Sequence, residues 1–409
     1  MRLVTFATGT GGKAARTSVL RQPPAIAPKA SPIDWGAQTA RQRGPVITGS
    51  SHMRNAIGIH AGAFAPYRGL ALATGALDPE HRPDLSDTQP SATIGPFPQW
   101  SDPDAIVTID PWGHRVSQDF SDEIAEGADI RPSIAVAEGH LRMAEIVQAL
   151  EQGSLSPDGR ILRPDGSVRV TKIAIEPVWY LPGVAKRLDV SEETLRAALV
   201  TGGGGMYPEL QTRPDLKVFL PPIGGTSVYL FGNPAGLGDP RVPITCRVHD
   251  ECNGSDVFGS DMCTCRPYLT FGVEECIRDA QKGGLGVIVY NRKEGRSLGE
   301  VTKFLVYNAR RQAPSGDRPE NYFLRTKHLA GVPDMRDQRL SVDVLHWLGI
   351  RRIARWLSMS NLKRDALIAG GIEIVEQLEI PDHRIAPAAR VEIRAKTAAG
   401  YFSQDAIAS

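Results

Sequence analysis

An α+β architecture, α/β-like in its second half, is the fold class this sequence predicts. Three observations carry it. Apolar residues make up 41% of the 409, enough for complete cores, and the length suits two or three domains. After residue 216, strand-like runs alternate with amphipathic helical stretches, the pattern of helices laid on a sheet. A glycine-rich stretch at 201–215 then separates that half from an earlier, less regular one, as domain junctions do.

Taken in order, residues 1–40 mix Gly, Ala, Lys and Pro without period and read as a mobile N-terminal arm. Its tract Gly9-Thr-Gly-Gly-Lys13 lacks P-loop spacing and a preceding strand. Residues 41–200 read as a separate N-terminal α/β domain whose role the residues do not declare. A helix is expected over 61–77 and an ordered, proline-rich loop over 79–100. A helical stripe over 135–150 uses Ala137, Leu141, Ala144, Ile146, Val147 and Leu150. A strand follows at 168–175. Ser191 then caps a helix to 199, with Glu192 and Glu193 in its first turn. His60, His81 and His114 stand alone in sequence and read as turn or surface residues.

The span 216–402 reads as one further domain. Two strand pieces in 216–231 break at Pro221–Gly225. A strand at 242–249 runs straight into a cysteine-rich stretch. A helix at 268–282 carries Leu269, Val273, Ile277 and Ala280 on one face, and a buried strand follows at 285–290. The helix 300–311 is expected to turn Val301, Phe304 and Leu305 inward. A helix at 340–348, a strand at 350–358, a helix at 361–370 and a strand at 372–378 complete the alternation.

Charge is balanced at +1, which gives no basic surface for a nucleic-acid polymer. No apolar run approaches the ~20 residues of a membrane span. The first twenty residues hold no continuous apolar core of a secretory signal. A cytoplasmic setting fits these features and the free thiols.

All five cysteines fall between 246 and 276, and three form C-x10-C-x-C at Cys252, Cys263 and Cys265. Such thiolates suit Zn2+. Three protein ligands leave a fourth position open, the arrangement of a catalytic zinc, which lowers the pKa of a bound water from about 15.7 to near 7. A structural four-cysteine zinc that recruits Cys246 or Cys276 is one alternative. A cluster of buried free thiols is another.

The residues around those cysteines carry a resemblance. Arg247-Val248-His249-Asp250-Glu251-Cys252, followed by Cys263-Thr264-Cys265, resembles the R-V-H-S-E-C and C-x-C signature of GTP cyclohydrolase II. The likeness runs over roughly 216–402 and implies that family's mixed sheet with helices. It implies a zinc cyclohydrolase that opens the base ring of a nucleotide, and a homodimer. Arg247 through Glu251 become substrate contacts. Glu294-Gly295-Arg296 matches the family's nucleotide-contacting E-G-R, with Asn291 and Lys293 where the family has His and Gln. Tyr307 matches a family tyrosine near the substrate. Asp334 and Arg336 match the family's proton acceptor and the arginine assigned as nucleophile. Glu251 is a second proton carrier, and an electrostatic role for Arg336 is the other reading. Ser358 and Lys363 match its hydroxyl and phosphate-reaching lysine.

One departure bears on the substrate. Where the family reads the guanine edge with a glutamine, this chain has Tyr268. A phenol cannot offer an amide's paired donor and acceptor, and its ring fills space a purine needs. The resemblance is therefore to the family's long, uracil-catabolic branch, which implies ring opening of a uridine nucleotide, UMP or UTP. GTP as substrate is the first alternative, and a non-catalytic nucleotide-binding regulator the second. A zinc deaminase is excluded, since the H-x-E and P-C-x-x-C signature is missing.

Overall fold

In the computed structural model, residues 32–402 are described, apart from 50–52, 60–63, 82, 83, 85, 87 and 89–92. His60, the Gly9–Lys13 tract and most of the 1–40 arm lie outside the described residues. Ten strands are present among those described: β1 Ala56–Gly58, β2 Ile134–Arg142, β3 Ser167–Ile175, β4 Trp179–Tyr180, β5 Val218–Leu220, β6 Thr226–Phe231, β7 Ile244–Asp250, β8 Leu285–Asn291, β9 Arg352–Leu357 and β10 Glu373–Leu378. Seven form one mixed sheet in the order β10-β9-β7-β8-β6-β3-β2. Its first four strands are parallel. From β8 outward to β2 every pairing is antiparallel. The remaining three make a small sheet ordered β1-β5-β4.

The predicted α+β class therefore holds, and the sheet crosses the 201–215 junction. β2 and β3 come from before it and extend the sheet built after it. Central strands β7 and β8 are buried almost throughout, as parallel strands covered on both faces must be. The helix Cys265–Gln281 and the helix Ala144–Glu151 cover one face, packing Ile146, Val273, Cys276 and Ile277 against Val168, Val170 and Ile288. The other face meets Trp100, Ile106, Ile109 and Trp112 from the N-terminal half and Leu345 and Trp347 from the C-terminal half.

Hydrogen bonds tie these two halves together. Trp100 Nε1 donates to the Trp347 carbonyl at 2.9 Å, and Trp347 Nε1 to the Pro111 carbonyl at 3.0 Å. Trp100 and Trp347 also stack, with centroids 5.8 Å apart. His114 sits edge-on to both rings, and burial pushes it down to about 4, so it is a core residue rather than a turn or surface one. His81 is exposed, as expected. Fully buried Asp343 accepts from the Val107 and Thr108 amides at 3.0 and 2.7 Å, from Thr108 Oγ1 at 2.6 Å, and from Arg187.

Most expected elements appear within a few residues of their predicted bounds. The helix starting behind Ser191 runs Glu192–Gly202, with the cap accepting from the Thr194 amide. Two expectations fail. The 135–150 stripe is β2 followed by a helix at Ala144–Glu151 only. All nine residues of β2 are in antiparallel register with β3, whose ladder satisfies the backbone, and Gly139 disfavours a helix there. Ala137 and Leu141, two members of that stripe, are exposed. The helix Glu300–Arg311 is present as predicted, but Val301, Phe304 and Leu305 face outward at 75, 58 and 47% exposure. Its buried face is polar: Lys303, Tyr307 and Arg310 are turned in with Val306.

Asp343 is the group on which the two halves depend most directly. Asp343→Ala should lower unfolding free energy by about 3–5 kcal/mol, because it strands the Arg187 charge and two amide donors. Denaturant titration checks this; a loss below about 1 kcal/mol would mean that the junction is held elsewhere.

Candidate active site

Because β7, β8 and β9 are parallel, their carboxyl ends fall on one edge of the sheet. That edge is where open sheets of this kind form ligand crevices. A cleft lies there. Asp250 to Cys252 reach it from β7, Gly295 and Arg296 from β8, and Ser358 to Ser360 with Lys363 from β9. Tyr268 and Lys303 approach from flanking helices, and Glu392 and Lys396 from the helix Arg390–Ala398. None of the described residues before Arg247 lines it.

The sulfurs of Cys252, Cys263 and Cys265 all lie within 4.8 Å of one another. Cys252 and Cys263 are 3.7 Å apart. Zinc–sulfur bonds of about 2.3 Å at tetrahedral angles call for about 3.8 Å, so the donors fit zinc. Cys265 opens the helix Cys265–Gln281, and hydrogen bonds with Cys252 and Cys263 push its thiol well above the usual range. Hydrogen bonds from Cys252 and Cys265 hold Cys263 well below the usual thiol range. Burial instead pushes Cys246 and Cys276 up, and Cys276 spends its S–H on the Thr245 carbonyl at 3.6 Å. These two are core thiols. The Tyr307 hydroxyl stands 3.2 Å from the Cys252 sulfur and does not line the cleft; it braces a cysteine rather than touching a substrate.

A hydrogen-bond chain sets the cysteine loop against β7. Asp256 Oδ2 accepts from the Cys252 amide at 3.0 Å, from His249 Nε2 at 2.9 Å and from the Tyr290 hydroxyl at 2.9 Å. The Arg247 guanidinium donates to His249 Nδ1, which fixes the imidazole proton on Nε2. Desolvation keeps His249 neutral by lowering its pKa. Arg247 also donates to the Leu357 carbonyl at 2.9 Å and lies 4.9 Å over the Tyr268 ring. Gly272 permits that placement, since a Cβ there would stand 2.9 Å from Arg247 Cδ.

Among the predicted site residues, Arg247 to Glu251, Tyr268, Gly295, Arg296, Arg336, Ser358 and Lys363 line the cleft. Glu294 does not; it accepts from the Asn253 amide behind the wall. Asp334 is also set back, and both its oxygens are taken by Arg336. Arg336 further reaches Asp250, which Lys363 Nζ meets at 2.8 Å. Burial works to lower the Arg336 pKa, but Asp250 and Asp334 outweigh it and raise it. Backbone angles at Gly295, Arg296 and Ser297 are all left-handed, a strain that two non-glycine residues adopt at this wall. Sequence reasoning missed Lys303, Glu392, Lys396 and Tyr401. The Glu392/Lys396 spacing of four on a helix was the available signal; the two form a buried ion pair.

Comparison with known proteins gives two family matches. Residues 17–201 match the family described as GTP cyclohydrolase N terminal, and residues 227–379 match GTP cyclohydrolase II. Uracil-regulated protein 1 of Schizosaccharomyces pombe is 53% identical over 378 residues, 91% of this chain and 86% of that protein. A protein of Lachancea kluyveri, provisionally named GTP cyclohydrolase URC1, is 52% identical over 379 residues, 91% of this chain and 85% of that one. GTP cyclohydrolase-2 of Neisseria gonorrhoeae is 32% identical over 139 residues, 34% of this chain and 64% of that protein.

Metal analysis should find one zinc per chain in the wild type and in Cys246→Ser and Cys276→Ser, and a loss of zinc in Cys263→Ser. Tyr307→Phe should weaken zinc binding by about 10–100-fold in a chelator competition, the usual cost of losing a group that orients a ligand. Full zinc in Cys263→Ser would refute the site.

Proposed function

This chain belongs to the GTP cyclohydrolase II family, in the long form that carries the N-terminal cyclohydrolase region, and we propose that it hydrolytically opens the pyrimidine ring of a uridine nucleotide. The observation that carries the reading is Tyr268. It stands one helical turn from Cys265, is 3% exposed, and lines the cleft beside the sulfurs. Its ring takes up width that a purine would need. Its hydroxyl oxygen is itself fully buried, so the ring, under the Arg247 guanidinium, is what it brings to the site. The name of the Schizosaccharomyces pombe relative, which links that protein to uracil, supports the same choice of base.

In the proposed reaction, water adds to C4 of uracil, an amide-like carbonyl, and the N3–C4 bond breaks. C4 becomes a carboxylate still bonded to C5, N3 leaves it and takes a proton, and the product is a ureidoacrylate ribotide. Zinc held by Cys252, Cys263 and Cys265 would supply an ionised water near neutral pH. Glu251 lines the cleft with Arg292 as a loose partner at 3.6 Å, so we assign it the proton transfer. Asp334 cannot share that work while Arg336 holds both its oxygens. Arg336 stays a guanidinium and acts through its charge. Arg296 has aromatic and carbonyl partners but no carboxylate within ion-pair distance among the described residues, which suits it to the substrate phosphate.

We also propose a homodimer. Exposed Val301, Phe304 and Leu305 adjoin the short helix Asn253–Asp256, where a Cβ on Gly254 would touch Phe304 at 3.4 Å. Val257 and Phe258, also exposed, follow directly. An apolar patch of this kind on one face is what a self-complementary interface buries.

Incubated with zinc-loaded protein, a uridine nucleotide should lose its ultraviolet absorbance while GTP is left intact. Formate and pyrophosphate released from GTP at ordinary enzyme rates would instead establish the riboflavin-type reaction. Tyr268→Gln should lower kcat/KM for the uridine nucleotide by about 10²-fold, the cost of misplacing a bound base by ~1 Å. Light scattering at micromolar concentration should give twice the chain mass, and Phe304→Glu should shift it toward the monomer; a monomeric wild type rejects the dimer.

A further inference from the structure

The cleft holds more positive charge than its substrate can use, and the chain itself answers part of it. Six cations line the wall: Arg247, Arg296, Lys303, Arg336, Lys363 and Lys396. Lys396 is paired with Glu392. Lys303 lies 5.3 Å over the Tyr307 ring and faces the cysteines, with no carboxylate in ion-pair distance among the described residues. Arg247 spends its hydrogens on His249 and the Leu357 carbonyl. The remaining pair, Arg336 and Lys363, would be a natural polyphosphate cradle, but it is already occupied. Asp250 Oδ2 bridges both, and Asp334 takes the rest of Arg336.

Asp250 is fixed in this position. Its side chain is 6% exposed, and its second oxygen accepts from Asn291 Nδ2 at 3.1 Å. Asn291 is steadied in turn by Thr226 Oγ1 at 2.9 Å. Two cations thus face two carboxylates of the chain, and the local charge is neutral. A second or third phosphoryl group entering here would meet a buried carboxylate at a few ångströms rather than free ammonium and guanidinium groups. Of the remaining cations, Lys303 faces the cysteines and Arg247 is committed to His249 and the Leu357 carbonyl, which leaves Arg296 for a single phosphoryl group, which carries about −1.5 to −2.

We propose that Asp250 is a specificity-determining residue that stands in for a phosphoryl group and restricts the cleft to a nucleoside monophosphate. This rests on the reading of the cleft as a nucleotide site, and for the uracil base it makes UMP, not UTP, the substrate. The test separates phosphate selection from base selection. Calorimetry with the zinc-loaded full chain, zinc content checked before and after, compares inorganic phosphate with tripolyphosphate for the wild type, Asp250→Asn and Asp250→Ser. The asparagine variant keeps the shape and the Asn291 contact while removing the charge.

The wild type should bind tripolyphosphate no more tightly than phosphate. Both variants should bind tripolyphosphate at least about tenfold more tightly than the wild type does, with phosphate affinity changed less than about threefold. In turnover, the UMP-to-UTP ratio of kcat/KM should fall at least tenfold in the variants. A wild type that binds tripolyphosphate tenfold better than phosphate, or variants with unchanged preference, would overturn the proposal. If the anion preference shifts as expected but no uridine nucleotide is consumed, the assignment of the base is wrong and the role of Asp250 stands.

Discussion

The site depends on one carboxylate oxygen. Asp256 Oδ2 gathers the Cys252 amide, the His249 imidazole and the Tyr290 hydroxyl, three donors from two parallel strands and the loop between them. Hydrogen bonds to a charged acceptor contribute about 1.5–3 kcal/mol each, against about 1 for neutral pairs. The consequences run outward. Cys252 is set at the strand end. His249 is held neutral in one tautomer, so it accepts from Arg247, and Arg247 lies over the Tyr268 ring. Metal donors and base-facing ring are thereby positioned by the same group. The ten residues between Cys252 and Cys263 contain this carboxylate four positions in, which makes the spacing more than a span of loop.

The legible parts of the chain were those where local pattern and global environment agree. β7, β8 and the helix between them follow from continuous apolar runs and a helical stripe, because both faces of that unit are buried. The three-cysteine donor set was legible from spacing alone, since sulfurs two and eleven residues apart can converge only at a turn and a helix start. Two stretches misled for opposite reasons. Residues 135–142 carry weakly apolar residues at a helical interval, yet the backbone took the strand because β3 offered a complete ladder. The helix Glu300–Arg311 keeps its predicted bounds but reverses its faces: Lys303, Tyr307 and Arg310 go inward to serve the cysteine region, and the apolar side is left exposed. Periodicity located the helix, while the site's need for charge chose its orientation. Similarly, Asp334 matched by position, but only the folded arrangement shows its oxygens committed to Arg336.

That commitment bears on how Arg336 can act. A nucleophilic guanidinium would have to give up a proton, and the two carboxylates beside it oppose this. Asp250 and Asp334 stabilise the charged form by more than burial penalises it. An arginine so placed is a fixed positive charge, suited to orienting groups and to offsetting negative charge that develops during ring opening. The proposed ring opening needs no transfer of the nucleotidyl group, so a permanently protonated Arg336 and the proposed restriction to one phosphoryl group are parts of one arrangement.

The N-terminal half enters this chemistry from behind. Its strands β2 and β3 complete the antiparallel side of the sheet, away from the cleft, and the helix Ala144–Glu151 lies on the same face as Cys265–Gln281. Glu145 on that helix pairs with Arg266, the residue after Cys265, and Arg266 also donates to the Asp256 carbonyl. An ion pair from the N-terminal half therefore grips the cysteine loop at both of its anchored ends. No described residue before Arg247 lines the cleft, and the Glu145–Arg266 pair is a contact through which this half reaches the cysteine loop. It limits how far the turn carrying Cys263 and Cys265 can drift from the strand end carrying Cys252, and three sulfurs hold one metal only while that separation is kept.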